Sequence, residues 1–186
     1  IPIWQLDGGH VAYALLGPRQ NKLGLHVHRA MLLFAGVSLV SYLVRDLRAG
    51  LGLHHLGDAV SNSLFWFMWF EVLALLGTWS ARAQGPDGER EAREGLPVRT
   101  RLVGVVGLCA LAAIGHEHHS WVLWGCWFVG LALFLAMEVK GGVLRPHGLL
   151  DHPPTGAAPL DPVRTGIAIV TLAFFVLLFM PTPFPL

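Results

Sequence analysis

The sequence predicts an all-α protein, a polytopic bundle of about six transmembrane helices whose first helix is cut short. Apolar residues make up 54% of the 186 residues and charged residues only 13%, about half the share of charge usual in soluble domains. The mean hydropathy is +0.56. The apolar runs are long enough for helices that cross about 30 Å of hydrocarbon, and they lack the alternation of transmembrane strands. An integral membrane protein is therefore expected.

Six apolar runs are expected to form the helices. The first run is closed by Gly17 and Pro18, because proline cannot continue a helix and glycine commonly follows its end. The fourth run is short and is bounded by the polar string His116-Glu-His-His-Ser120. The runs are residues 3–16, 27–44, 64–81, 102–114, 121–137 and 166–180.

The loops between the runs differ in charge. All lysines and arginines except Arg45 and Arg48 fall near the loops that follow the first, third and fifth runs. By the positive-inside rule these loops are expected in the cytoplasm, which places the C-terminus outside. Two of them are long, 82–101 and the proline-rich 141–164, and we expect residues 1–186 to form one transmembrane domain.

Composition also bears on the partners. The net charge is +1 and no cluster of basic residues suggests nucleic acid, so the expected surroundings are the lipid bilayer. Cys109 and Cys126 lie inside apolar runs without the spacing of a disulfide framework or a thiolate metal site. Both are expected to be packing residues, and nothing in the sequence specifies an oligomeric state.

Asp7 is a carboxylate in an apolar segment beside a glycine pair. A carboxylate in lipid calls for a partner charge, a proton path or a metal ion, and glycines allow another group to approach the backbone closely. His10 follows three residues later, on the same face of a helix, where it could bind a metal or steady the carboxylate; we favour the second role. Residue chemistry alone leaves metal binding, proton handling and a polar helix contact open for Asp7.

Motifs at both ends of the chain add to this reading. Pro2, Asp7 and Gly8 fit the pattern Asn-x-x-Pro-x-x-x-x-Asp-Gly from its proline onward, and Leu6-Asp-Gly-Gly-His10 is its most specific part. In these residues the chain resembles the site-2 protease family of intramembrane zinc metalloproteases. Its tail looks like the closing segment of bacterial members, in His152-Pro-Pro-Thr155, Pro159-Leu-Asp161 and Phe179-Met-Pro-Thr-Pro-Phe184.

The resemblance implies an activity, a location and roles for residues. Asp7 would be the third ligand of a catalytic Zn²⁺, and Gly8 and Gly9 would leave room for the extended backbone of a substrate. The substrates would be membrane-anchored proteins, cleaved within the bacterial cytoplasmic membrane. In this family a His-Glu-x-x-His helix supplies two more zinc ligands and the general-base glutamate.

The chain departs from the family in two respects, the first being that the Asn expected three positions before Pro2 would fall before Ile1. The second is that His-Glu-x-x-His occurs nowhere in the chain, and the nearest string has Ser120 where the second histidine should stand. The resemblance therefore implies the C-terminal part of a larger protease, with the missing helix before Ile1. These residues alone are expected to be inactive.

Other residues support alternative hypotheses. His116, His118 and His119 lie near one predicted outer boundary and suggest a metal site on the outer face, because imidazole binds zinc, copper and nickel. A histidine-rich metal transporter or sensor is therefore one alternative, and a non-catalytic pseudoprotease that scaffolds other membrane proteins is another.

Aromatic and acidic residues within the apolar runs or at their ends carry further expectations. The aromatic stretch 65–70 and the tryptophans of run five are expected to face lipid or anchor the interface. Glu138 is expected at the interface beside Lys140. Glu71 lies deeper, and a polar contact between helices is its default role.

Overall fold

A computed structural model describes residues 7–52, 55–83, 85–86, 95–141, 151 and 160–179. Pro2, Leu6 and the tail motifs around His152 and beyond Phe179 lie outside these residues. Within the described residues the fold is all-α, as predicted. The helices are α1 Asp7–Leu16, α2 Arg19–Arg48, α3 Leu56–Ala83, α4 Val98–His118, α5 Trp121–Lys140 and α6 Pro162–Phe179.

Four helices are long and apolar enough to cross a membrane. They are α2 with 30 residues, α3 with 28, α4 with 21 and α5 with 20. The apolar stretch found in α6, Pro162–Phe174, is shorter, and α1 has 10 residues. The protein is thus an integral membrane helix bundle. The fourth predicted run, which is the shortest, belongs to a helix long enough to cross a membrane.

Most helices extend beyond the apolar runs that predicted them. Helix α2 begins at Arg19 and α3 at Leu56, each about two turns before the predicted start. Hydropathy marks the part of a helix that lies in hydrocarbon, whereas backbone hydrogen bonds carry the helix on into the interface.

The two long loops are correspondingly shorter than predicted. Helix α3 runs to Ala83 and α4 begins at Val98, so both ends of the predicted loop 82–101 are helical. Helix α6 begins at Pro162, inside the predicted loop 141–164.

The predicted end of the first helix is confirmed. Gly17 has φ +57°, and its N–H donates to the carbonyl of Tyr13 at 2.8 Å. The N–H of Gln20 in turn donates to the Gly17 carbonyl at 3.0 Å. Glycine enters this left-handed conformation without the steric cost of a Cβ atom, so α1 folds back directly onto α2.

Successive helices pack on each other. Helix α2 packs on α3, α3 on α4 and α4 on α5, while α1 packs against α2 and α6. The main apolar core lies among α3, α4 and α5, with α2 against one side. Its buried side chains include Val60, Phe67, Val105, Leu108, Trp124, Trp127 and Phe134.

The predicted lipid-facing role of the aromatic stretch is wrong for most of its members. Phe67, Phe70 and Trp127 are at most 4% exposed. Phe67 meets Phe134 edge to face at 5.8 Å between ring centroids, and the indole N–H of Trp127 donates to the Leu108 carbonyl at 3.0 Å. Bulky aromatic rings fill the space between the helices. Hydropathy alone cannot distinguish a side chain that packs in this core from one that faces lipid.

One tail motif has a local structural role. The Arg164 N–H donates to Oδ1 of Asp161 at 2.9 Å, and the Arg164 side chain pairs with Oδ2 of the same carboxylate at 3.3 Å. Pro162 is the first residue of α6. Asp161 therefore caps the N-terminus of this helix, with proline in the position that needs no donor.

Candidate functional site

Helix α1 carries the predicted metal ligand in its first turn. Asp7 and His10 are both exposed, and their spacing of three residues places them on one side of the helix. A carboxylate in the first turn also lies favourably in the field of the helix dipole. The Asp7 carboxylate is thus accessible from outside the described bundle.

The opposite side of α1 holds the helix in place. Its buried residues are Gly8, Gly9 and Ala12, and α1 packs against α2 and α6. Small residues let helix backbones approach closely in a membrane, where van der Waals packing is a main source of association. The glycines of the motif thus have a packing role, and their predicted contact with a substrate backbone stays a prediction.

The described residues provide part of a zinc site. Among them no three His, Cys, Asp or Glu side chains come close enough to hold a metal ion together. Asp7 fits the role of a single carboxylate ligand, since it is exposed and on a helix. A catalytic zinc needs three protein ligands, so two would have to come from residues outside this part of the chain.

The outer histidines are brought together only in part. The rings of His116 and His119 lie 6.1 Å apart between centroids in an edge-to-face arrangement, and His118 is exposed. His119 ends α4 with φ 46°. Within the residues described, these three do not form a metal-binding group.

His116 has a packing role instead. Its ring lies so close to Gly57 of α3 that a Cβ atom at that glycine would collide with Nδ1. The contact joins the first turn of α3 to the last turn of α4, so His116 packs the two helices together at one end of the pair.

A buried ion cluster joins three helices at the other end of the bundle. Arg101 of α4 donates to Oε2 of Glu71 in α3 at 3.0 Å and to Oε2 of Glu138 in α5 at 2.8 Å. The two glutamates are 1% exposed and the arginine is 6% exposed. We call these three residues the ion triad. One guanidinium thus bridges two carboxylates, a geometry that its planar fork of donors suits.

The ion triad has spare hydrogen-bonding capacity. Oε1 of Glu71, Oε1 of Glu138 and Nε of Arg101 are buried and have no hydrogen-bond partner among the described residues. Two carboxylates against one guanidinium leave a formal excess of one negative charge when all three are ionised. Such a charge is costly in a low-dielectric interior.

A fourth helix joins the bundle at Phe70, the residue before Glu71. Nε2 of His28 in α2 lies 2.9 Å from the carbonyl oxygen of Phe70. The His28 ring also stacks on the Phe70 ring, with 4.2 Å between the ring centroids. His28 is 1% exposed. Polar contacts at this level therefore connect α2, α3, α4 and α5.

The sequence-based expectations for this region were partly wrong. The polar helix contact expected of Glu71 is confirmed. Glu138 does not lie at the interface with Lys140 but is buried on Arg101, and Arg101 belongs to α4 and not to the predicted loop. One signal was available: an acid within the third run and another directly after the fifth run need a cation, and Arg101 directly precedes the fourth run.

Comparisons with models of protein families, with curated proteins and with solved structures find no match for this chain.

Proposed function

We propose that this chain is part of an intramembrane zinc-dependent endopeptidase, in which Asp7 supplies one ligand of the metal. The observation that carries the proposal is the Leu6-Asp-Gly-Gly-His10 motif, whose carboxylate lies on the exposed side of α1 while its glycines are buried. Four apolar helices of membrane-spanning length supply the setting that such an enzyme needs.

In this proposal each residue of α1 has a defined task. Asp7 holds the metal with one carboxylate, and His10 steadies that carboxylate from the same side of the helix. Gly8 and Gly9 fix the position of Asp7 by seating α1 against its neighbours. When bound, zinc would activate a water molecule and polarise the scissile carbonyl.

The remaining parts of the catalytic site would lie outside the described residues. Two histidine ligands and the general-base glutamate would come from a His-Glu-x-x-His helix elsewhere in the full-length protein. The substrate would be a membrane-anchored protein, and the location the cytoplasmic membrane of a bacterium.

The test is made on the full-length protein with a membrane-tethered reporter substrate. We expect Asp7→Asn to lower bound zinc and to reduce cleavage at least about a hundredfold, since even indirect metal contacts are worth ~10–100-fold. Because Asp7 is exposed, its replacement should change the free energy of unfolding by no more than ~0.5 kcal/mol. Loss of activity would then not reflect unfolding.

Asp58→Asn is the matched control. Asp58 is also an exposed carboxylate in the first turn of a helix, here α3, and its replacement should leave zinc content and cleavage unchanged. Full zinc content and cleavage in Asp7→Asn would contradict the proposal. Metal uptake that needs His116, His118 and His119 but not Asp7 would favour a metal transporter or sensor.

A further inference from the structure

A cavity of about 280 Å³ lies between α2, α3 and α5. Its wall is formed mainly by aliphatic and aromatic side chains, among them Leu39, Phe67 and Leu131. Gly36 and Val139 also line it and are exposed, so the cavity opens at the surface of the bundle. Its volume is about twice that of the ~150 Å³ apolar cavity known to admit benzene.

The cavity is long and has one charged end. Along α5 its lining runs from Trp127 to Val139, which at 1.5 Å per residue spans about 18 Å. Glu138 lines it close to the C-terminal end of α5, which ends at Lys140. An apolar cavity of this length with an acid at one end matches the shape of a single-chain amphiphile.

Among the described residues, Glu138 is the lining residue whose side chain keeps an unsatisfied polar atom. Ser63, which also lines the cavity, already donates through Oγ to the Val60 carbonyl at 2.8 Å. The indole N–H of Trp127 is bound to Leu108. Glu138 uses Oε2 for Arg101, whereas its Oε1 has no hydrogen-bond partner among the described residues.

We propose that this cavity binds a single-chain alkylammonium, with its hydrocarbon chain between α2, α3 and α5 and its ammonium group on Glu138. Charge complementarity selects the head group, because two carboxylates share one guanidinium in the ion triad and, with all three ionised, an ammonium would neutralise the excess negative charge. The apolar wall selects the tail. This site is independent of Asp7 and of the proposed peptidase.

The probe is decylammonium, and decanol serves as its neutral counterpart. Binding to the full-length protein is measured by equilibrium dialysis in nanodiscs of zwitterionic lipid, which avoids attraction of amines to anionic lipid. We expect decylammonium to bind at least about tenfold more tightly than decanol, as hydrogen bonds to charged groups imply. Equal affinities, or no saturable binding of decylammonium, would overturn the proposal.

Two substitutions test the charged end and the wall of the cavity. Glu138→Gln removes the charge and should weaken decylammonium binding at least about tenfold while leaving decanol binding unchanged. Gly36→Leu should block both ligands, because Gly36 lines the cavity and a Cβ atom there meets nothing within 4 Å, so a leucine side chain is tolerated and is expected to narrow the cavity. It leaves the ion triad intact, so it tests the site even if Glu138→Gln does not fold.

Gly107→Leu is the control for adding bulk. Gly107 lies in α4 away from the cavity lining and also has no atom within 4 Å of a Cβ position. Binding should be unchanged in this variant. Wild-type affinity for decylammonium in Gly36→Leu would show that the ligand binds elsewhere.

Discussion

The central bundle of α3, α4 and α5 and the peripheral pair of α1 and α6 are held together in different ways. The central bundle buries large aromatic side chains such as Trp127 and Phe134, and the ion triad crosses it. In the peripheral pair, α1 buries Gly8, Gly9 and Ala12. The stabilising contacts and the proposed metal ligand thus lie in different parts of the molecule, so changes in one should spare the other.

The largest effect on the central bundle is expected when Arg101, the cation shared by the two glutamates, is replaced. Arg101→Met leaves two buried carboxylates without a partner and should lower the free energy of unfolding by about 3–5 kcal/mol. Equilibrium unfolding of the full-length protein in mixed micelles measures the loss. Arg99→Met, an exposed arginine on the same helix turn, should cost no more than ~0.5 kcal/mol.

A triple replacement shows whether the loss is electrostatic. Changing Arg101, Glu71 and Glu138 to methionine together should restore most of the stability, because an apolar set of similar volume leaves no charge uncompensated. If Arg101→Met costs no more than Arg99→Met, the ion triad does not stabilise the bundle.

A smaller effect is expected when an aromatic ring of the central bundle is removed. Trp127→Ala should cost about 2 kcal/mol, less than the ~3–5 of water-soluble cores, because lipid is as apolar as the core and mainly packing is lost. The same unfolding measurement applies. Trp121, which is 75% exposed, is the matched control, and its replacement by alanine should change stability by no more than ~0.5 kcal/mol.

This pair of variants separates two roles of tryptophan. A larger loss for Trp121→Ala than for Trp127→Ala would mean that the aromatic residues act as interfacial anchors, as the sequence predicted. A larger loss for Trp127→Ala than for Trp121→Ala would support a role of the buried aromatic residues in packing the core.

The smallest effect on stability is expected in the peripheral pair. Gly9→Leu adds bulk to the buried side of α1 and should cost about 1 kcal/mol, the lower end for overpacking, because α1 is short and few contacts hold it. Hydrogen exchange should accelerate in α1 and not in α4. Gly125→Leu is the control, since a Cβ atom at this glycine meets nothing within 4 Å. Unchanged exchange in α1 would contradict the packing role of Gly9.

Some features of this fold could be predicted because they depend on local chemistry. The break at Gly17 follows from a glycine before a proline, and the helical class follows from long apolar runs that must satisfy their own hydrogen bonds. The position of Arg101 could not be predicted in the same way. Arginine as a residue type favours a loop, and its burial is explained only by its pairing with Glu71 and Glu138 on other helices.

The aromatic residues show the same limit. Trp121 and Trp127 lie in the same apolar run, yet one is 75% exposed and the other 1%. In water, burial follows hydrophobicity, whereas in lipid both sides of a helix are apolar and packing alone decides which side faces the core.

The amino-acid sequence alone determined that the chain is a membrane protein made of helices, and it singled out Asp7 as the carboxylate with a proposed role in metal binding. Both follow from the residues themselves, through hydropathy and motif spacing. The tertiary structure decided that Glu71, Arg101 and Glu138 meet and that Glu138 also lines a cavity. Arg101 lies 30 positions from Glu71 and 37 from Glu138, so only the packing of separate helices brings them together, and burial at a low dielectric then makes their pairing necessary.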